Sequence, residues 1–181
     1  QRFLAPGDLP AHSGESIIER YATDATKSEM NAAKEPEFEV GLALQVEDDS
    51  NVIAYNNGWD NLRLIYKARQ VFPGDRILVR AHPLSIFGLQ DLHNRQLGIV
   101  DNSVSAMEFI SKCKRILTVN SSVAFEAVAV GKPTYILGES PLASMAYRHF
   151  DRRVRDQMRG IPLLQEKLEF YALNYLIPMN L

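Results

Sequence analysis

The stretch Arg115 to Leu137, RILTVNSSVAFEAVAVGKPTYIL, limits the possible folds more than any other part of the chain. An apolar run, a polar turn, a short apolar helix, a glycine stop and a second apolar run spell a strand, helix, strand unit. The helix is too short and too apolar to face solvent on more than one side, so its amino end points to a defined place. Ser121 or Ser122 can cap it, and Gly131 stands where a terminating glycine belongs. First-turn amides and the helix dipole then offer an anion site at the carboxyl edge of a parallel sheet, where open α/β folds bind ligands.

Glu126 is the only charge among Val123, Ala124, Phe125, Ala127, Val128, Ala129 and Val130, and it lies four residues after Ser122, not the three of a capping box. Two readings stand. One is a solvated glutamate on a capped helix; the other is a carboxylate that accepts hydrogen bonds from a ribose diol behind a bound phosphate.

Upstream, the chain alternates in the same way. Phe38 to Gln45 reads as a buried strand and ends in the acidic stretch Val46, Glu47, Asp48, Asp49, Ser50. A helix from about Asp60 to Val71 follows, with Leu62, Ile65, Tyr66 and Ala68 inward, stopped by Pro73 and Gly74. Arg76 to Arg80 is the next strand and runs into Ala81, His82, Pro83. Pro83 keeps His82 out of helical backbone geometry, which makes His82 either a structural loop residue or, with Arg80, a donor of hydrogen bonds to a phosphate. A short strand at Leu97 to Val100 leads to a helix from about Val104 to Lys112, where Cys113 completes the buried pattern of Met107, Phe109 and Ile110.

Thr134 to Leu137 is the last strand, followed by helices near Leu142 to Met158 and Leu163 to Leu176. The first of these carries Arg148, Arg152, Arg153, Arg155 and Arg159 with Asp151 and Asp156 interspersed, which suits a solvated face, an acidic membrane surface or a second domain. About five strands alternating with helices predict a Rossmann-like parallel sheet over residues 37–181, covered on both faces. Residues 1–36 read as an appendage or the remnant of another domain, with a weakly amphipathic helix from about Gly14 to Ala33.

Several function classes lose their support. A net charge of −2 gives no reason to expect nucleic acid, and a single cysteine excludes an internal disulfide and a cysteine-based metal site. No GxGxxG, P-loop, HExxH or GxSxG motif occurs. No run reaches the roughly 20 apolar residues of a membrane span, and the amino end lacks the blocks of a signal peptide, so the cytoplasm is the expected location. What remains is three polar sites at strand ends: Gln45 to Ser50, His82 and Pro83, and Asn120 to Glu126.

Together, Gln45-Val46-Glu47-Asp48-Asp49-Ser50, Arg80-Ala81-His82-Pro83 and Asn120-Ser121-Ser122 with Glu126-Ala127 and Gly131-Lys132-Pro133 resemble the capsule polysaccharide biosynthesis family, which includes retaining β-Kdo transferases that use CMP-Kdo. The resemblance covers roughly Val40 to Glu139. It implies the donor-binding half of a GT-B glycosyltransferase, acting on a bacterial surface polysaccharide or glycolipid acceptor with retention. It further implies that Asp49 is the nucleophile, with Asp48 beside it as the alternative and Glu47 and His82 completing the catalytic set. His82 would contact the CMP phosphate or the Kdo carboxylate, Ser121 and Ser122 the phosphate, and Glu126 the cytidine ribose, with Arg80, Pro83 and Gln45 also lining the donor site.

Retention by two displacements suits a carboxylate nucleophile. A monophosphate leaving group calls for no bridging metal, so neither a metal nor another cofactor is expected. Only one Rossmann-like domain fits in 181 residues, so the acceptor domain is expected elsewhere, on a longer chain or a partner, and the isolated chain to bind donor without transferring it. An inner-membrane surface is a further candidate partner. Two alternatives remain: a noncatalytic nucleotide-sugar-binding module, and a sialyltransferase or UDP-sugar epimerase on a similar fold.

Overall fold

A computed structural model describes residues 35–85 and 96–151. The expected helices over 14–33 and 163–176, the appendage as a unit, and most of the arginine-rich segment lie outside the described residues.

Strand β1, Val40–Ala43, is buried along its whole length because both faces of the sheet are covered. It pairs in parallel with β2 (Ile77–Arg80) on one side and β4 (Ile116–Thr118) on the other. Outside these lie β3 (Ile99–Val100) and β5 (Thr134–Ile136), giving the order β3-β2-β1-β4-β5, all parallel. The expected Rossmann-like α/β sheet is therefore present, although its strands are shorter than the apolar runs that signalled them.

Alternation along the strands sorts the core. Val40, Leu42, Ile77, Val79, Leu117 and Tyr135 face one layer, packed with Leu64, Ile65 and Ala68 of helix α2 (Asn61–Arg69). Ala43, Leu78 and Ile116 face the other, against Phe109 and Ile110 of α3 (Ala106–Ser111) and Ala127 of α4 (Val123–Ala129). Gly41 sits where α3 comes closest: a Cβ there would lie 2.6 Å from Cys113 Sγ and 2.7 Å from Phe109 Cζ.

Four expectations change. Leu62 and Tyr66 are exposed, and the inward stripe of α2 is Asn61, Leu64, Ile65, Ala68. A helix not anticipated, α1, spans Ser50–Tyr55. Cys113 is fully buried, but just past α3, where it forms a single parallel bridge with Phe38. The segment after β5 is not a helix from Leu142: Pro141–Met145 is a 3-10 turn, and Tyr147 then bridges to Tyr135 as extended chain. Stacking of the two tyrosine rings, centroids 4.9 Å apart, and the edge contact of Phe150 on Tyr135 hold that segment against β5.

Candidate functional site

The chain leaves β1 for β2 and β3 on one side, then returns to β1's other side as β4 and β5. Its direction reverses between β1 and β4, and a crevice at the carboxyl ends of such strands is where open α/β sheets take ligands. All three polar sites follow the adjacent strands β2, β1 and β4, so they share this rim.

At the crevice itself, Gln45 after β1 and Asn120 after β4 hold each other. Gln45 Nε2 donates to Asn120 Oδ1 (2.8 Å), and the Asn120 amide donates to Gln45 Oε1 (2.9 Å). Asn120 Nδ2 reaches the carbonyls of Asn51 (3.3 Å) and Tyr55 (3.4 Å), tying α1 across the rim, and Tyr55's carbonyl also accepts from the Glu139 amide (2.7 Å). Both polar ends of the Gln45 amide are thus engaged by Asn120.

The acidic loop is anchored from a different side. Asn61, buried at the start of α2, donates from Nδ2 to the Gln45 carbonyl (2.7 Å) and to Glu47 Oε1 (2.6 Å), and its Oδ1 accepts from the Gln45 amide (3.1 Å). Glu47 also accepts from Ser85 Oγ (3.1 and 3.2 Å), which joins the loop after β1 to the loop after β2. Asp48 and Asp49 are exposed. Asp49 is the N-cap of α1, its Oδ1 accepting from the Asn51 amide (2.7 Å), which orients the carboxylate and leaves a second oxygen available.

His82 is exposed, and its Nδ1 accepts from the Leu84 amide (3.2 Å), an arrangement that fixes the ring in the Pro83 turn. Arg80 has structural partners: Nη1 donates to Asp101 Oδ2 (2.7 Å) and the Ser103 carbonyl (3.0 Å), and the guanidinium lies 5.9 Å from the Phe109 ring centre. Its charge still reaches Glu126. Burial pushes the Glu126 carboxyl above the ordinary glutamate value, and the positive Arg80 opposes that rise.

The helix after Asn120 begins more tightly than expected. Ser121, not Ser122, supplies the side-chain cap, with Oγ accepting from the Val123 amide (3.3 Å). Ala124 and Phe125 donate to the carbonyls of Ser121 (3.1 Å) and Ser122 (2.9 Å). The amides of Val123, Ala124 and Phe125 are therefore engaged within the turn, and Ser122 is exposed. At the other end Gly131 adopts φ +73° and, with Lys132, bonds back to Val128 (2.9 Å) and Ala127 (2.8 Å) as in a Schellman motif.

Sequence reasoning missed Asn61 and Ser85, and gave Asn120 no role of its own. Asn61 follows the capping Asp60 and reads as an ordinary first helical residue. Its signal was the position it takes in an i, i+3, i+4, i+7 stripe with Leu64, Ile65 and Ala68. Among the described residues no cluster of three or more His, Cys, Asp or Glu is arranged to hold a metal. A groove of about 290 Å³ lined by Arg69, Gly74, Gln96 and Gly98 lies near the amino ends of β2 and β3, away from the rim.

The fold and site define a Rossmann-like α/β domain with a polar, partly acidic ligand rim at its switch point. The chain belongs to the capsule polysaccharide biosynthesis protein family, whose profile matches residues 11–145. Two solved structures from Thermosulfurimonas dismutans share the fold. The KpsC beta Kdo 2,7 transferase is 21% identical with a TM-score of 0.57, the match covering 87% of this chain and 52% of that one. The KpsC beta Kdo 2,4 transferase is 22% identical with a TM-score of 0.55, covering 87% of this chain and 56% of that one. The chain thus spans about half the length of these solved chains. No curated protein matches it. Among the described residues no helix is long and apolar enough to cross a membrane.

Proposed function

We propose that this chain is the donor-binding half of a GT-B glycosyltransferase of capsule polysaccharide synthesis, transferring Kdo from CMP-Kdo to a glycan or glycolipid acceptor with retention. The observation that carries this reading is the arrangement of the acidic loop, the His82-Pro83 turn and the Ser121-Ser122 turn on three neighbouring strand ends astride the switch point. Family membership and the two structural neighbours, both beta Kdo transferases, favour Kdo as the sugar.

In the proposed reaction a carboxylate oxygen of Asp49 attacks the anomeric carbon of Kdo, and the bond to CMP breaks with its electron pair leaving on the phosphate. His82 and the hydroxyls of Ser121 and Ser122 donate to the phosphate as its charge grows. An acceptor hydroxyl, losing its proton to solvent, then displaces the Asp49 carboxylate, so two inversions give net retention. Glu126 accepts from the cytidine ribose, and Gln45 holds the two sides of the crevice in register.

Calorimetric titration with CMP, UMP, UDP and GDP tests the reading. Binding of CMP in preference to the others supports it, and justifies a search by mass spectrometry for a glycosyl adduct on Asp49. Preference for UDP would favour an epimerase-like protein, and absence of CMP binding would sink the assignment of this chain as a donor site.

A further inference from the structure

The acidic loop after β1 is anchored by a buried amide that is not itself part of the loop. Asn61 is 6% exposed and makes three hydrogen bonds of 2.6–3.1 Å, two to the Gln45 backbone and one to Glu47. A helix whose inner stripe is otherwise Leu64, Ile65 and Ala68 has no packing need for an amide there. An amide does meet the loop's needs: it donates to Glu47 and the Gln45 carbonyl while accepting from the Gln45 amide, which neither a carboxylate nor an aliphatic side chain can do. Glu47, held on one side by Asn61, is bonded on the other to Ser85, two residues past Pro83.

We propose that Asn61 is a positioning residue: through Glu47 it locks the acidic loop after β1 to the His82-Pro83 loop after β2, so that the expected nucleophile and the phosphate-binding histidine are presented as one unit. The catalytic consequence rests on the transferase reading above; the mechanical coupling does not. The two are tested separately.

The variant Asn61→Asp keeps the shape and the acceptor for the Gln45 amide, and an acidic residue at a helix's first position suits the helix dipole. It replaces the donor facing Glu47 and the Gln45 carbonyl with a second oxygen, so the tether opens while α2 stays folded. Amide hydrogen exchange at Leu84 and Ser85, which Asn61 does not touch, is expected to quicken roughly threefold or more, the size of one modest hydrogen bond lost. The double variant Asn61→Asp with Glu47→Gln restores the bond between the two side chains with donor and acceptor exchanged, though not the bond to the Gln45 carbonyl, and is expected to recover part of the lost protection at Leu84 and Ser85. Unchanged exchange in the single variant, or no recovery in the double, would overturn the coupling.

With CMP-Kdo and acceptor, the single variant in the complete transferase is expected to lose on the order of tenfold in kcat with KM for donor within about twofold. Equal loss in both would make Asn61 a donor-binding residue instead. Should the parent show no transfer, the transferase reading falls and the exchange measurements still decide the coupling.

Discussion

Gln45 and Asn120 exchange two hydrogen bonds across the β1/β4 crevice, the amide of one side chain meeting both the side chain and the backbone of the other. Because Asn120 also holds the end of α1, loss of its side chain removes three hydrogen bonds from a residue only 7% exposed, while its backbone amide still donates to Gln45. Asn120→Ala is expected to cost about 1–3 kcal/mol, since two of the three are long and water can reach part of the site. Urea denaturation with an unchanged m-value is the measurement. A loss under about 0.5 kcal/mol would mean that the pair adds nothing beyond what solvent supplies.

Asp49 carries two roles that two substitutions separate. As the N-cap of α1 it can be replaced by asparagine, which caps equally well, but not by alanine. Asp49→Asn is expected to keep the parent's stability, Asp49→Ala to lose about 0.5–2 kcal/mol. Both are expected to abolish transfer while leaving CMP affinity within about twofold, since neither removes a phosphate contact. Transfer surviving in Asp49→Asn would move the nucleophile to Asp48 or dismiss covalent catalysis.

That three polar loops would meet on one rim was legible before the structure, because each follows an apolar run that had to be a strand, at Leu42, Val79 and Leu117. What was hidden has a physical cause in each case. Helix α1 buries only Val52 and exposes Ile53, so its six residues carry no helical period to detect. The inward stripe of α2 was obscured because its first member is the polar Asn61, buried for its hydrogen bonds, while the apolar Leu62 and Tyr66 point outward. Arg80 looked like a phosphate ligand at a strand end; Asp101, whose side chain is fully buried 21 residues on, pairs with it across a separation that no local pattern reveals. Past Leu142 the apolar spacing suggested a helix, but the tyrosine stack on β5 holds that chain extended.

Glu126 is expected to set stability against ligand binding. Burial raises its carboxyl above the ordinary value of 4.5, with Arg80 opposing, so over an interval above that value the folded chain keeps a proton that the unfolded chain has released. The folded state is thus favoured by the protonated form below the unfolded value, and that advantage is lost as pH rises through the folded value. Glu126→Gln, neutral throughout, is expected to be more stable than the parent at pH 7, the difference vanishing below about pH 4.5. The same change is expected to weaken CMP binding roughly tenfold by removing a charged acceptor for the ribose. Denaturation midpoints across pH check the first statement and calorimetry the second; unchanged CMP affinity would leave Glu126 without its ribose role.

Gly41 marks the point of the core with the least room. Its neighbours on β1, Val40 and Leu42, face α2, while Gly41 faces Phe109 and Cys113, both fully buried. A methyl group there would meet Cys113 Sγ at 2.6 Å, Phe109 Cζ at 2.7 Å and Ile116 Cδ1 at 3.0 Å, and none of the three can swing into solvent. Gly41→Ala is therefore expected to destabilise by about 1–3 kcal/mol through overpacking, more than any gain from a less flexible unfolded chain. The Cys113 thiol reports the outcome independently. Burial pushes it up to about 12, so in the parent it resists alkylation at neutral pH until the chain opens. Gly41→Ala, by prising α3 from β1, is expected to speed alkylation of Cys113 in native buffer along with lowering the denaturation midpoint. A lower midpoint with alkylation still slow would place the strain in the strand pairing, away from the β1/α3 contact.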